Sequence, residues 1–344
     1  MNAPAPLPSE LHKFLFDGLP VRGIIVRLTD AWQEILRRRE QVGGYPEPVR
    51  RLLGEMAAAS VLMQSNIKFN GALVLQILGD GPVRVAVAEA QPDLTLRATA
   101  KVIGEVAADA RLEALVNVGG HGRCAITLDP RDRLPGQQAY QGIVPLHGDR
   151  REPLQRLSEV LEHYMLQSEQ LDTKLVLAAN DEVAAGLLIQ RLPIEGAGNL
   201  AGRAAAAQGG GEPSGRASAN EDEIGLNEGY NRIAHLTATL TADELLHLPI
   251  DQILHRLYWE EKLVRFEPLR GDEGPRFACT CSRERVARML VGLGREEVGS
   301  ILQEQGRVEI GCDFCGQHYH FDPVDVGSLF TPGRDLPPGS SSVQ

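Results

Sequence analysis

Four of the chain's five cysteines stand in one short stretch, Phe277 to Phe321, and no other feature restricts its folding as much. Cys279 and Cys281 form a C-x-C in F-A-C-T-C-S, while Cys312 and Cys315 form a C-x-x-C in G-C-D-F-C-G-Q-H-Y-H-F. Two close pairs about thirty residues apart supply the four thiolates of a closed tetrahedral Zn²⁺ site, whose S–Zn bonds are roughly 2.3 Å. Gly311 and Gly316 flank the second pair, and a glycine after the turn lets backbone N–H groups point toward sulfur. A C-x-x-C followed by Gly reads as a zinc knuckle; the C-x-C is rarer and has a tighter bite. The expected cofactor is one Zn²⁺ per chain. Spacing alone leaves two roles open for it, a clip that staples a small domain or a working metal site.

Whether those cysteines meet a metal or each other depends on where the chain resides. The start, M-N-A-P-A-P-L-P-S-E, has neither the basic nor the apolar segment of a secretory signal. No apolar run approaches the roughly 20 residues needed to cross a bilayer. A cytoplasmic location is expected, where thiols stay reduced and clustered cysteines read as metal or redox sites. A formal charge of −11 argues against a general nucleic-acid binder, because phosphate affinity comes mainly from Lys and Arg. At 344 residues, two or three domains are expected.

The pattern along the chain predicts an α+β fold, with an N-terminal, mostly antiparallel sheet and packed helices, a short helical linker and a small C-terminal zinc-binding domain. Residues 1–194 form the first domain. Its β-branched run Val21 to Leu28 reads as a strand, and Thr29-Asp30 caps a helix to about Arg39. A second helix spans Val49 to Met63, its many small residues pointing to burial on more than one side. Gly71 to Leu78 and Val83 to Val87 form a hairpin through Gly79-Asp80-Gly81-Pro82, where glycine can adopt positive φ. Strands over 94–102, 124–128, 141–146, 174–178 and 186–192 and a helix over 153–167 complete it. A Gly/Ala-rich stretch, 195–226, reads as a flexible insertion.

Residues 227–265 hold short helices, Asn231 to Thr239, Ala242 to Leu248 with a Thr241/Glu244 capping box, and one capped by Asp251 through Trp259. Helices near or below about 12–15 residues are marginal alone in water, so this linker must draw its stability from neighbours. In the zinc-binding domain, 266–330, Ser282 caps a helix ending at Gly294, and a second ends at Gly306. Short strands over 307–310 and 318–321 hold the knuckle. The tail, 331–344, is expected to be disordered. His318 and His320 read as exposed strand positions, since four cysteines already fill the site. His121, Asp129, Asp132, His147 and Asp149 are scattered, and Cys124 reads as a small core residue. No catalytic constellation assembles, and an enzyme is not expected.

In its cysteine segment the chain resembles the bacterial redox-regulated holdases, the 33 kDa heat-shock chaperonin family. F-A-C-T-C-S-R-E-R and C-D-F-C-G-Q-H-Y-H-F stand in that family's order, as do L-H-K-F-L-F-D, V-R-G, L-G-D-G-P, Y-Q-G-I-V, S-E-Q-L-D-T and E-E-V-G-S-I-L. The likeness covers about residues 10 to 328. It implies that Cys279, Cys281, Cys312 and Cys315 hold zinc in an inactive reduced form. Oxidation would then form the Cys279–Cys281 and Cys312–Cys315 disulfides, release zinc and unfold the linker. Apolar surface would become available to unfolding client proteins, without ATP, and the oxidised form would be a homodimer. No specific nucleic acid and no membrane are implied as partners. The Gly/Ala-rich stretch is longer than the family leads one to expect, and Cys124 is extra to the quartet. Two other readings compete. A zinc-ribbon nucleic-acid module would want a basic face and stacking aromatics, which make up only 5% of the chain. A thiol oxidoreductase would want a βαβ context around the C-x-x-C.

Overall fold

The computed structural model describes residues 8–132, 138–192 and 221–331. Two six-stranded sheets and one small ribbon make up the β-structure of these residues. In the first sheet β1 (Glu10–Phe16) pairs with β2 (Val21–Leu28). The second holds β3 (Gly71–Leu78), β4 (Val83–Ala90), β5 (Thr95–Val102), β6 (Arg123–Pro130) and β7 (Tyr140–Pro145). The chain returns to the first sheet with β8 (Thr173–Ala179) and β9 (Ala184–Arg191), which lies against β2. The strand run at Val21 reads as almost continuously apolar because both faces are covered. Ile24, Val26 and Leu28 face the main core, while Val21 and Ile25 face the linker helices.

Helix α1 (Asp30–Glu40) and the long α2 (Glu47–Asn66) follow β2. Helix α2 lies against strands of both sheets. Ala57, Ala58, Ala59 and Ser60 are all fully buried, the small side chains letting strands close in from several sides. The hairpin between β3 and β4 forms as expected, but its glycines serve another purpose. Neither Gly79 nor Gly81 has a positive φ. A Cβ would fall 2.2 Å from the Val83 carbonyl oxygen at Gly79, and 2.5 Å from that of Leu115 at Gly81. That second neighbour lies on α3 (Leu112–Val116), remote in sequence from the turn.

Helix α4 (Leu157–Glu169) starts later than the pattern suggests, because Pro153 is engaged in a bridge with His147. The Gly/Ala-rich insertion falls outside the described residues as far as 220, and so does the tail after Thr331. Residues 221–226 are not part of a loop but open α5 (Glu221–Ala238). Once the packed part of that helix exists, each added residue gains a backbone bond at little further entropic cost. Helix α6 (Ala242–His247) carries the expected box, with Thr241 N–H donating to Glu244 Oε2 at 2.9 Å. Helix α7 (Ile250–Tyr258) is preceded by Pro249 at the cap position. Asp251 sits in its first turn instead and pairs with Arg265 at 2.6 Å.

These three helices cover the outer face of the first sheet. Ile233, Leu245, Ile253 and Leu257 pack with Phe14, Phe16 and Ile189 in one buried cluster. Arg27 on β2 donates to the Leu245 and Leu248 carbonyls, tying the end of α6 to the sheet. Beyond α7 the chain is stitched to both sheets. Strands β10 (Leu263–Arg265) and β11 (Leu269–Arg270) pair with β1, and β12 (Arg276–Phe277) runs parallel to β5. Short two- and three-residue strands leave no period to read, and the sequence pattern did not reveal them.

Gly23 on β2 sits opposite Phe14, whose ring would lie 2.1 Å from an added Cβ. Phe14 is buried and stacked edge-on against Phe16. Gly23→Ala is expected to destabilise the reduced protein by about 1–3 kcal/mol, since overpacking forces ring and strand apart. A urea midpoint equal to the parent's would show that the ring moves freely.

Candidate metal centre

After β12 the chain stays extended through Cys279 and Cys281, then enters α8 (Arg283–Leu293), whose first turn is capped by Ser282 Oγ accepting from Arg285 N–H at 3.2 Å. Helix α9 (Arg295–Gln305) ends at Gly306, which has φ +75°. Strands β13 (Val308–Gly311) and β14 (His318–Phe321) form a ribbon with Cys312 to Cys315 at its tip, and α10 (Pro323–Leu329) closes the module. The tip turns tightly. Gly316 N–H donates to the Cys312 carbonyl at 2.8 Å, and Cys312 N–H donates to the Gln317 carbonyl at 2.9 Å. Gly316 has φ +70°, a region that suits glycine, so the residue after the C-x-x-C is required by the backbone.

All four sulfurs lie within 4.8 Å of one another. Cys279 and Cys312 are 3.7 Å apart, and Cys281 and Cys315 are 3.3 Å apart. A tetrahedron of S–Zn bonds near 2.3 Å has edges of about 3.8 Å, so the donor set suits a single ion and is drawn equally from both motifs. All four thiols are free. So many sulfurs at this distance cannot all ionise without a cation between them. Cys279 is driven down to about 4, chiefly by a hydrogen bond from Cys312, and Cys312 is pushed upward by the same contact. Burial pushes the Cys315 thiol up to about 11. Tyr319 Oη donates to Cys281 Sγ at 3.1 Å, adding a phenol to the sulfur shell.

The remaining sequence candidates sort themselves. His318 and His320 are half-exposed and both face Glu309, at 2.9 and 3.5 Å, away from the sulfur cluster. Cys124 is fully buried on β6, where desolvation pushes its thiol up to about 12, so it belongs to the core. Among the described residues, His121, Asp129, Asp132, His147 and Asp149 join no group able to hold a metal.

The knuckle does not stand free, and the residues it rests on are ones that sequence reasoning missed. Thr99 Oγ1 on β5 donates to the Asp313 carbonyl at 2.8 Å. Arg97 on the same face of β5 lies over the Phe314 ring at 4.2 Å and reaches Cys279 Sγ with Nη1 at 3.9 Å. Arg38 on α1 covers the Phe277 ring at 4.7 Å. Nothing in the local sequence around residue 97 points 182 positions ahead; only the tertiary fold joins them.

Fold and site together define a two-sheet α+β protein with a helical cover over one sheet and a small four-cysteine module docked beside the other. The family model described as Hsp33 protein matches residues 9–322. The 33 kDa chaperonin of Chromobacterium violaceum is 47% identical over 322 residues, covering 93% of each chain. That of Neisseria meningitidis serogroup A is 41% identical over 326 residues, covering 94% of this chain and 91% of the relative. The crystal structure of the 33 kDa chaperonin of Thermotoga maritima, a heat shock protein 33 homolog, shares the fold with a TM-score of 0.67. It is 20% identical and is covered to 97%, with 94% of this chain. The chain belongs to the Hsp33 protein family. Among the described residues no helix is long and apolar enough to cross a membrane.

Proposed function

We propose that this protein is a redox-regulated, ATP-independent holdase chaperone rather than an enzyme, acting in the cytoplasm on unfolding client proteins. The observation that carries the reading is the pairing of a four-thiol cluster able to hold a metal with three helices lying over an apolar sheet face. The names of its relatives, 33 kDa chaperonin, support a chaperone role. Residues 1–194 would bind clients and dimerise after oxidation, 227–265 would be the metastable cover, and 266–330 the redox switch.

Cys279, Cys281, Cys312 and Cys315 would hold one zinc ion, a choice that soft thiolate donors favour. Bound, the ion keeps all four sulfurs deprotonated and therefore reactive toward peroxide. The four thiolates then give up four electrons to two peroxide molecules, whose O–O bonds break and take up four protons to give four waters. Two disulfides form, Cys279–Cys281 and Cys312–Cys315, and no thiolate remains as a ligand. The nearest sulfurs in the folded site come from different motifs, so this pairing follows loss of the site's geometry. With the module unfolded, the strands at 263–277 that join it to the helices would lose their C-terminal anchor, and the face holding Phe14, Phe16 and Ile189 would open as the helices before them detach. No nucleic acid or membrane enters this scheme.

Metal analysis of reduced protein is expected to give one zinc per chain. Peroxide with mild heat should release it and, at the same dose, suppress aggregation of a denatured client. Cys312→Ser should lower zinc affinity and shift the oxidant response. If metal content and response were unchanged in that variant, the assignment would not stand.

A further inference from the structure

The metal module makes a second attachment, independent of the linker. Strand β5 alternates, with Ala98 and Ala100 buried in the main core and Arg97 and Thr99 on the opposite face, where the knuckle lies. Arg97 is held rigidly there. It stands opposite Glu89 on β4 and pairs with it at 2.6 Å, with both side chains less than one-fifth exposed. That pair occupies Nη2 and Nε, which leaves Nη1 directed at Cys279 Sγ. The flat face of the same guanidinium covers Phe314, inside the C-x-x-C. One cation from the N-terminal sheet therefore touches both cysteine motifs.

We propose that Arg97 is a positioning residue that sets how fast the metal centre responds to oxidant, an inference resting on the reading of that centre as an oxidant-released latch. An N–H bond to a thiolate withdraws charge from the sulfur and lowers its nucleophilicity, which slows attack on peroxide. Of the four sulfurs, Cys279 is the one this cation reaches. Stacking on Phe314 holds the second motif in place meanwhile, so the protective contact and the docking contact are lost together. The residue thus acts as a threshold, letting a brief oxidant exposure pass without opening the module.

The test compares wild type with Arg97→Gln, with Glu89→Gln/Arg97→Gln, which strands no buried carboxylate, and with Thr99→Val, which removes the bond to Asp313 and the contact with Tyr45 Oη but leaves the cation in place. Zinc release is followed with a chromophoric chelator under fixed peroxide. Both Arg97 variants should release zinc about tenfold faster, the usual order for one hydrogen bond to a charged acceptor. A second measure separates local charge from loosened packing, namely the ratio of thiol alkylation rates by anionic iodoacetate and neutral iodoacetamide. Loss of the cation should lower that ratio in both Arg97 variants, less in the double variant, which also removes the Glu89 carboxylate, while Thr99→Val should leave it unchanged. The double variant is read by the same two measures should Arg97→Gln fold poorly. Release rates and ratios equal to wild type overturn the role of Arg97 alone. Equal acceleration by Thr99→Val with no change of ratio in any variant also overturns it, leaving docking as the cause. A wild type that binds no zinc, or keeps it under peroxide, overturns the latch reading and this inference with it.

Discussion

Zinc removal from the reduced protein is expected to unfold residues 278–331 while both large sheets persist. The module's buried core, among the described residues, is six side chains, Ala287, Leu290, Val298, Val308, Phe321 and Val326. A segment of this size has a marginal core, which small scaffolds usually supplement with a metal or disulfides. Bound zinc contributes on the order of 10–16 kcal/mol apparent in comparable small modules, well above what six side chains can retain after chain entropy. Chelation should therefore abolish amide protection in α8, α9 and α10, and zinc should restore it. Amides of β3, β4 and β6 should stay protected throughout. Protected amides in α8 and α9 after complete chelation would show that the apolar core alone suffices and that the ion is no latch.

Ile253→Asp should open the cover without any oxidant. Ile253 is fully buried on α7, where the helices meet Phe14 and Phe16. A carboxylate placed there has no partner, and the cost of burying it is several kcal/mol at least. Helices α6 and α7, of six and nine residues, have little intrinsic stability with which to resist. Undocking leaves the sheet face exposed while the sulfurs are untouched. The reduced variant should keep its zinc yet suppress client aggregation to an extent near that of oxidised wild type. If α7 loses amide protection and the variant still fails to hold clients, the holding surface lies elsewhere.

Much of this was legible in the residues. The C-x-C and C-x-x-C pointed to one four-sulfur cluster because the covalent chain keeps each pair close, and the four sulfurs do converge. Ser282, Gly294 and Gly306 marked their helix ends because capping is local chemistry. The strands of the two sheets were readable where they alternate or run continuously apolar. Harder were features whose cause lies outside the window. Gly79 and Gly81 looked like positive-φ residues, yet close backbone neighbours account for them. Strands β10, β11 and β12 are too short to carry a period, and exist because an edge was available to pair with.

The sequence by itself brought out the two cysteine pairs, the helix ends at Ser282, Gly294 and Gly306 and the apolar faces of the linker helices, since each depends on residues within a few turns of one another. Tertiary structure alone decided which sheet face the linker covers, that Arg97 and Thr99 receive the knuckle and that Arg38 covers Phe277. The Arg97, Thr99 and Arg38 contacts join residues about 180 to 240 positions apart, and their energy comes from surfaces that exist only after both sheets have formed.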